Sequence, residues 1–156
     1  EIMLAKVWSM GLVVLLAALV ALVFVVQGAL HVPVQGSVLL FMGLAALHLF
    51  ATTSMGIFLA TVARSMPQFG MLLVLTLLPL QMLSGGVTPR ESMPEFVQQV
   101  MLAAPTTHFV TAAQAILYRG AGLDMVWPQL LSILVIGGML FTAALARFRK
   151  TISQMA

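Results

Sequence analysis

Cysteine is absent from the 156 residues, which excludes disulfides and thiolate chemistry within them and leaves the redox compartment unread. Charge is nearly absent as well. Asp, Glu, Lys and Arg together make up 7% of the chain and hydrophobic residues 62%, whereas a soluble domain carries about 25% charged residues. Most helical surface therefore has no water-facing stripe, and an ordinary soluble domain is excluded. Ten-residue segments of alternating polarity are missing too, which excludes an outer-membrane barrel and leaves helices as the way to satisfy the backbone in lipid. The seven Lys and Arg are spread out, and a net charge of +3 without a basic cluster gives nucleic acid no binding surface. The three histidines stand far apart with no carboxylate at ligand spacing, and the twelve methionines are scattered as apolar filler, so no metal site is expected. Neither a GxxxxGK[ST] loop nor a GxSxG turn occurs. Residue 1 is Glu rather than Met and no short signal-type segment follows, so the chain reads as part of a longer one.

What is present is four long apolar stretches. Residues 1–6, with Glu1 and Lys6, form a helix-compatible lead at the membrane surface. Residues 7–27 carry no charge, are long enough to span ~30 Å of hydrocarbon, and have Trp8 at the interfacial end. Gly28, Pro33 and Gly36 then break the helix in a short outer turn. A second span over residues 38–63 holds a polar run near its middle, His48, Thr52, Thr53 and Ser54. Thr52, Gly56 and Ala60 recur every fourth residue, a stripe of small side chains that lets another helix approach. Residues 64–68 form a charged turn, because Arg64 at mid-bilayer would cost roughly 2.5–3.5 kcal/mol. A third, shorter span covers residues 69–84, with a kink expected at Pro79 and an end at Gly85 and Gly86.

Residues 79–120 are too apolar for a loop, yet their two helical pieces, residues 96–104 and 107–117, fall short of the ~20 residues a span requires. They read as two half-helices dipping into one membrane face. Two capping boxes, Thr88 to Glu91 with Pro89 and Ser92 to Glu95 with Pro94, encode helix starts. Phe96, Val97, Val100, Met101 and Ala104 share one face, with Gln98 and Gln99 opposite. Pro105 ends the first piece, Thr106 or Thr107 caps the second, and Gly120 is its C-cap. A last span covers residues 126–146 and ends in Arg147, Arg149 and Lys150, which open a cytoplasmic tail over residues 147–156. The fold expected is all-α and integral to the membrane: four spans plus two re-entrant half-helices. Lys6, Arg64, Arg147, Arg149 and Lys150 fall on one side, and only Arg90 and Arg119 on the other. That bias makes the first side cytoplasmic and places residues 85–125 outside.

Candidate chemistry is sparse. A polar cluster such as His48, Thr52, Thr53 and Ser54 inside a membrane helix either lines a water-filled path or glues helices together. Ser84 or Ser54 with His48 or His108 are the available nucleophile and base for an intramembrane hydrolase, without a motif to support the pairing. Leu83-Ser84-Gly85-Gly86 looks like the start of a nucleotide-signature loop, but without a phosphate loop, and placed outside, it reads as a helix end.

The run from Leu83 through Ser84, Gly85, Gly86, Pro89 and Pro94 to Val97, then Ala104-Pro105-Thr106-Thr107-His108-Phe109, then Ile116 to Gly120, resembles the conserved region of ABC-2 type permeases. These are membrane subunits of ATP-driven transporters, mostly exporters. The resemblance covers nearly the whole chain and implies extracellular half-helices before the last span, with these four spans the last four of six. It implies an outer gate hinged at Pro79, Gly85, Gly86, Pro89, Pro94, Pro105 and Gly120, and an ATPase-coupling end at Glu1 and Lys6. It also implies partners: a second permease copy, ABC ATPase subunits or domains that hold the ATP and Mg, and membrane lipid. No cofactor is expected on this chain itself, and a non-transporting membrane assembly protein is the alternative reading.

Overall fold

The computed structural model describes residues 2–31 and 33–153, and among these residues there are helices and turns and no strand. The helix α1 (Ile2–Val20) runs without a break into a π-helical stretch, Ala21–Ala29. The lead expected at residues 1–6 is therefore continuous with the first span over residues 2–6. Glu1 and the side chain of Lys6 lie outside the described residues. The second helix, α2 (Val38–Val62), is capped by Ser37, whose hydroxyl accepts from the Leu40 amide at 3.3 Å.

The third helix, α3 (Met66–Leu83), starts earlier than the expected residue 69. Ser65 accepts from the Gln68 amide at 3.3 Å, the Gln68 side-chain oxygen accepts from the Arg64 amide at 2.8 Å, and Pro67 occupies the first turn, where its missing N–H costs nothing. The charged turn therefore shrinks to residues 63–65. The helix runs on through Pro79 to Leu83, so that proline removes one i→i−4 bond without ending the span. Two shorter helices follow, α4 (Glu95–Met101) and α5 (Pro105–Arg119), bent by 93° at the break between them. The last, α6 (Leu123–Ser153), starts before the expected residue 126 and absorbs Arg147, Arg149 and Lys150 into the helix.

Four of these helices are long and apolar enough to cross a membrane: Trp8–Ala29, Val38–Val62, Met66–Leu83 and Leu123–Lys150. The chain is thus an all-α, multi-pass membrane protein. Its core lies where α2 packs along α6 with α5 against both, around Leu44, Ala51, Ala112, Ile116, Val126 and Ile133. The outward faces of α1 and α3 are Leu, Val, Met and Phe, and α3 has no buried residue. Such faces suit hydrocarbon, which is as apolar as leucine and leaves close packing to hold helices together.

The helices α2 and α6 approach closely at Ala51 and Gly137, where a side chain on Gly137 would come within 3.1 Å of Ala51 and Phe50. The stripe expected to admit a helix is therefore displaced. A Cβ on Gly56 would meet nothing within 4 Å, and Thr52, Gly56 and Ala60 flank the inner face that Leu44, Ala51 and Met55 define. Both stripes have helical spacing, and the sequence of α2 alone does not say which of them α6 selects through Gly137.

Candidate functional site at the bent helix pair

The return helix α5 runs antiparallel to α2 and is fixed at its C-terminal end to the turn that precedes α2. The Gln35 amide donates to the Leu117 carbonyl at 3.1 Å, and Gly36 lies directly against Ile116. Gly120 closes α5 in the left-handed conformation (φ 64°), with its own amide and that of Ala121 both reaching the Ala115 carbonyl. The expected C-cap at Gly120 is what the structure has. From Ser37 to His48 is 11 residues, and so is Phe109 to Gly120, so the two side chains meet ~16 Å below that anchor at 1.5 Å per residue. Their rings stack, with centroids 4.3 Å apart and planes 16° from parallel, and Phe41 joins Phe109 at 6.3 Å. The N-terminal end of α5 thus stands level with the middle of α2.

The entry to this hairpin is built from turns. Ser84 is buried at the end of α3 and donates to the Gln81 carbonyl at 3.0 Å. Gly85 has φ 96°, a conformation glycine adopts without strain, and Gly86 faces Val110 of α5. Neither capping box forms. Pro89 precedes a single 3₁₀ turn, Arg90–Ser92, and the Ser92 hydroxyl donates back to the Pro89 carbonyl at 2.7 Å. With Ser92 engaged in that turn, α4 starts after Pro94 without a side-chain cap. Gln98 also departs from its expected outward role. Its side-chain amide nitrogen donates to the Met93 carbonyl at 2.9 Å, while its backbone carbonyl accepts from the Arg90 guanidinium at 3.4 Å. The apolar face of α4 is split accordingly: Met101 and Ala104 are buried, and Phe96 and Val100 are exposed.

Pro105 is the first residue of α5, in the position where proline suits a helix start. Thr106 and Thr107 are accordingly not caps. They lie inside the first turn, both buried, and the Thr107 hydroxyl has no hydrogen-bond partner. His108 reaches back to the Leu102 carbonyl at 2.8 Å.

The polar run of α2 is distributed over several surroundings. Thr52 donates to the His48 carbonyl at 2.9 Å and Ser54 to the Phe50 carbonyl at 2.8 Å, the back-bonding by which a helix absorbs its own hydroxyls. Ser54 is buried and Thr53 is half-buried. His48 leaves its Nδ1 buried without a partner. The serine and histidine pairings open to a hydrolase are dispersed in the same way, since Ser54 and Ser84 bond carbonyls of their own helices, His48 stacks on Phe109 and His108 turns to Leu102. Sequence reading gave no role to Thr111 in the second half-helix or to Gln129 in the last span, and named Phe109 only within the run that resembles the family. The signal for Thr111 was its spacing from Thr107, one helical turn along α5.

Four apolar spans, with a sharply bent helix pair inserted before the last of them, describe a polytopic membrane protein. The family profile described as "ABC-2 type transporter" matches residues 1–118, and the chain belongs to that family. Among curated relatives, it is 66% identical over 156 residues to the "Inner membrane transport permease YhhJ" of Escherichia coli K12, covering all of this chain and 42% of that protein. It is 29% identical over 124 residues to the "Probable multidrug ABC transporter permease YbhR" of the same organism, covering 80% of this chain and 34% of that protein. Against the "Probable multidrug ABC transporter permease YbhS" it is 30% identical over 126 residues, covering 77% and 32%. The chain thus spans less than half the length of these relatives. No solved structure matches it.

Proposed function

We propose that this chain is the C-terminal portion of the permease subunit of an ATP-driven ABC-2 exporter, in the inner membrane, carrying drug-like, lipidic or other amphipathic cargo. It works with a second permease copy and with ATPase subunits or domains that bind the ATP and Mg. The observation that carries the reading is the bent α4–α5 pair, seated on α2 and the outer turn in a chain of this family. ATP favours the closed ATPase arrangement by binding it more tightly, and that difference in affinity drives the permease from one state to the other. The push arrives at the ends near Glu1, Lys6 and Arg64, with the basic termini of the spans on the cytoplasmic side. The outer gate is α4–α5, flexing at Pro79, Gly85, Gly86, Pro89, Pro94, Pro105 and Gly120, and the path runs along α2 past His48, Thr52, Thr53 and Ser54.

The names of two relatives as multidrug permeases support amphipathic cargo. Co-purification of the full-length protein with an ATPase subunit, followed by ATP-dependent efflux from inside-out vesicles, tests the proposal. Absence of both would overturn it in favour of a membrane assembly role.

A further inference from the structure

A cavity of about 220 Å³ lies between α5 and α6, lined by Thr111, Ala112, Ala115 and Arg119 on one side and Met125 and Gln129 on the other. Its volume is below the ~300–1,000 Å³ of drug-sized pockets, so it holds the head of a molecule rather than the whole. Alanines at positions 112 and 115 leave the space. Thr107, Thr111, Ala115 and Arg119 recur every fourth residue and form one stripe along α5, from its inner end to its outer end.

The groups on this crevice are unusual for a helix seam. Arg119 is the last residue of α5, where a cation also suits the helix dipole, and its exposed guanidinium stands at the outer rim. Gln129 lies six residues into α6, ~9 Å deeper by helix rise. Among the described residues, three buried side-chain atoms lack a hydrogen-bond partner: the Gln129 carbonyl oxygen, the Thr107 hydroxyl and His48 Nδ1. One of these residues lines the crevice and a second stands one turn below Thr111 on its stripe. Buried polar atoms are nearly always paired, so an unpaired acceptor beside a cavity is a place for a donor, from a water or from a ligand.

We infer that the α5–α6 crevice is a binding site for the head of an amphipathic anion that also carries a hydroxyl. Arg119 supplies the counter-charge to a phosphate, and guanidinium geometry suits two of its oxygens. The Gln129 carbonyl accepts from the hydroxyl, and the Thr111 hydroxyl, which donates to the Thr107 carbonyl at 2.8 Å, keeps its lone pairs for a second donor. The tail leaves past exposed Met125 and Trp127 into the lipid. A glycerol phosphate is the simplest head with this chemistry. A lipid of the bilayer and a free solute both supply it, and the test separates them.

The full-length permease, with Ala115→Cys as its single cysteine, is placed in phosphatidylcholine nanodiscs and alkylated with a maleimide. Dihexanoyl phosphatidylglycerol, dihexanoyl phosphatidylcholine and glycerol 3-phosphate are titrated separately. Several-fold slowing by the phosphatidylglycerol alone assigns the site to a lipid head, and slowing by glycerol 3-phosphate as well assigns it to the head in either form. Arg119→Gln abolishes the protection while leaving the unprotected alkylation rate unchanged, which shows the crevice intact. Gln129→Leu weakens it. Equal protection by phosphatidylcholine, no protection by any probe, or protection that survives Arg119→Gln overturns the inference. None of these readouts requires ATP or transport, so the result is independent of the exporter reading.

Discussion

Gly36 sits so close to Ile116 that a methyl group on its α-carbon would run into the Ile116 carbonyl oxygen and lie 2.9 Å from Cγ2 of the same residue. The turn before α2 therefore clamps the end of α5 backbone to backbone, and the Gln35 to Leu117 hydrogen bond closes the same contact. Only glycine permits that approach.

Replacing Gly36 with alanine is expected to unseat α5. Overpacking of this kind costs about 1–3 kcal/mol, and the obstacle here is backbone, which cannot rotate away. Gly43→Ala is the matched control, since a side chain there meets nothing within 4 Å. In a helix interior that change gains up to about 1 kcal/mol of propensity. Thermal denaturation of the full-length protein in detergent should show a lowered midpoint for Gly36→Ala and an equal or raised one for Gly43→Ala.

The crossing of α2 and α6 gives a second pair. A branched side chain at Gly137 has Ala51 and Phe50 at 3.1 Å and nowhere to go, so Gly137→Val should separate the two helices that form the core. Gly56→Val, in the stripe that spacing alone singles out, faces open space and should be tolerated. Protease sensitivity of the solubilised protein is expected to rise sharply for the first and little for the second. The reverse order would place the helix contact on the Thr52, Gly56 and Ala60 stripe.

These cases mark how far sequence carries. The four spans were legible because apolar length is set by bilayer thickness, a constraint that acts on each segment alone. Gly120 was legible because a left-handed cap is a local demand. The capping boxes misled because the 3₁₀ turn Arg90–Ser92 takes up the first of them and α4 starts only after Pro94, which leaves Ser92 two residues ahead of the N-cap position. The Ala51–Gly137 contact was illegible from α2 because its partner is 86 residues away. The crevice between α5 and α6 was hidden for the same reason: Thr111, Arg119 and Gln129 mean little until two helices set them around one cavity.

His48 and Phe109 join α2 to α5 through stacked rings. Stacked aromatic pairs contribute ~0.5–1.5 kcal/mol beyond the area they bury. A double-mutant cycle of His48→Ala and Phe109→Ala should return a coupling of that size in unfolding free energy. A cycle pairing His48→Ala with Trp127→Ala, on a different helix and exposed, should return none.

Thr107 offers the most discriminating substitution. Its hydroxyl is fully buried and makes no hydrogen bond, so the folded protein carries the desolvation cost of a polar group without its return. Thr107→Val removes that oxygen at nearly constant shape and is expected to stabilise the protein by about 1–3 kcal/mol, the range for a buried unsatisfied group. Thr111, one turn further along α5, has the opposite balance: its hydroxyl donates to the Thr107 carbonyl at 2.8 Å. Thr111→Val should therefore cost about 1 kcal/mol, the net value of a typical internal hydrogen bond. Denaturation midpoints of the two variants, compared in the same detergent, should move in opposite directions. A fall in both would mean that the Thr107 hydroxyl is satisfied in the folded protein, by a bound water or by a neighbouring chain.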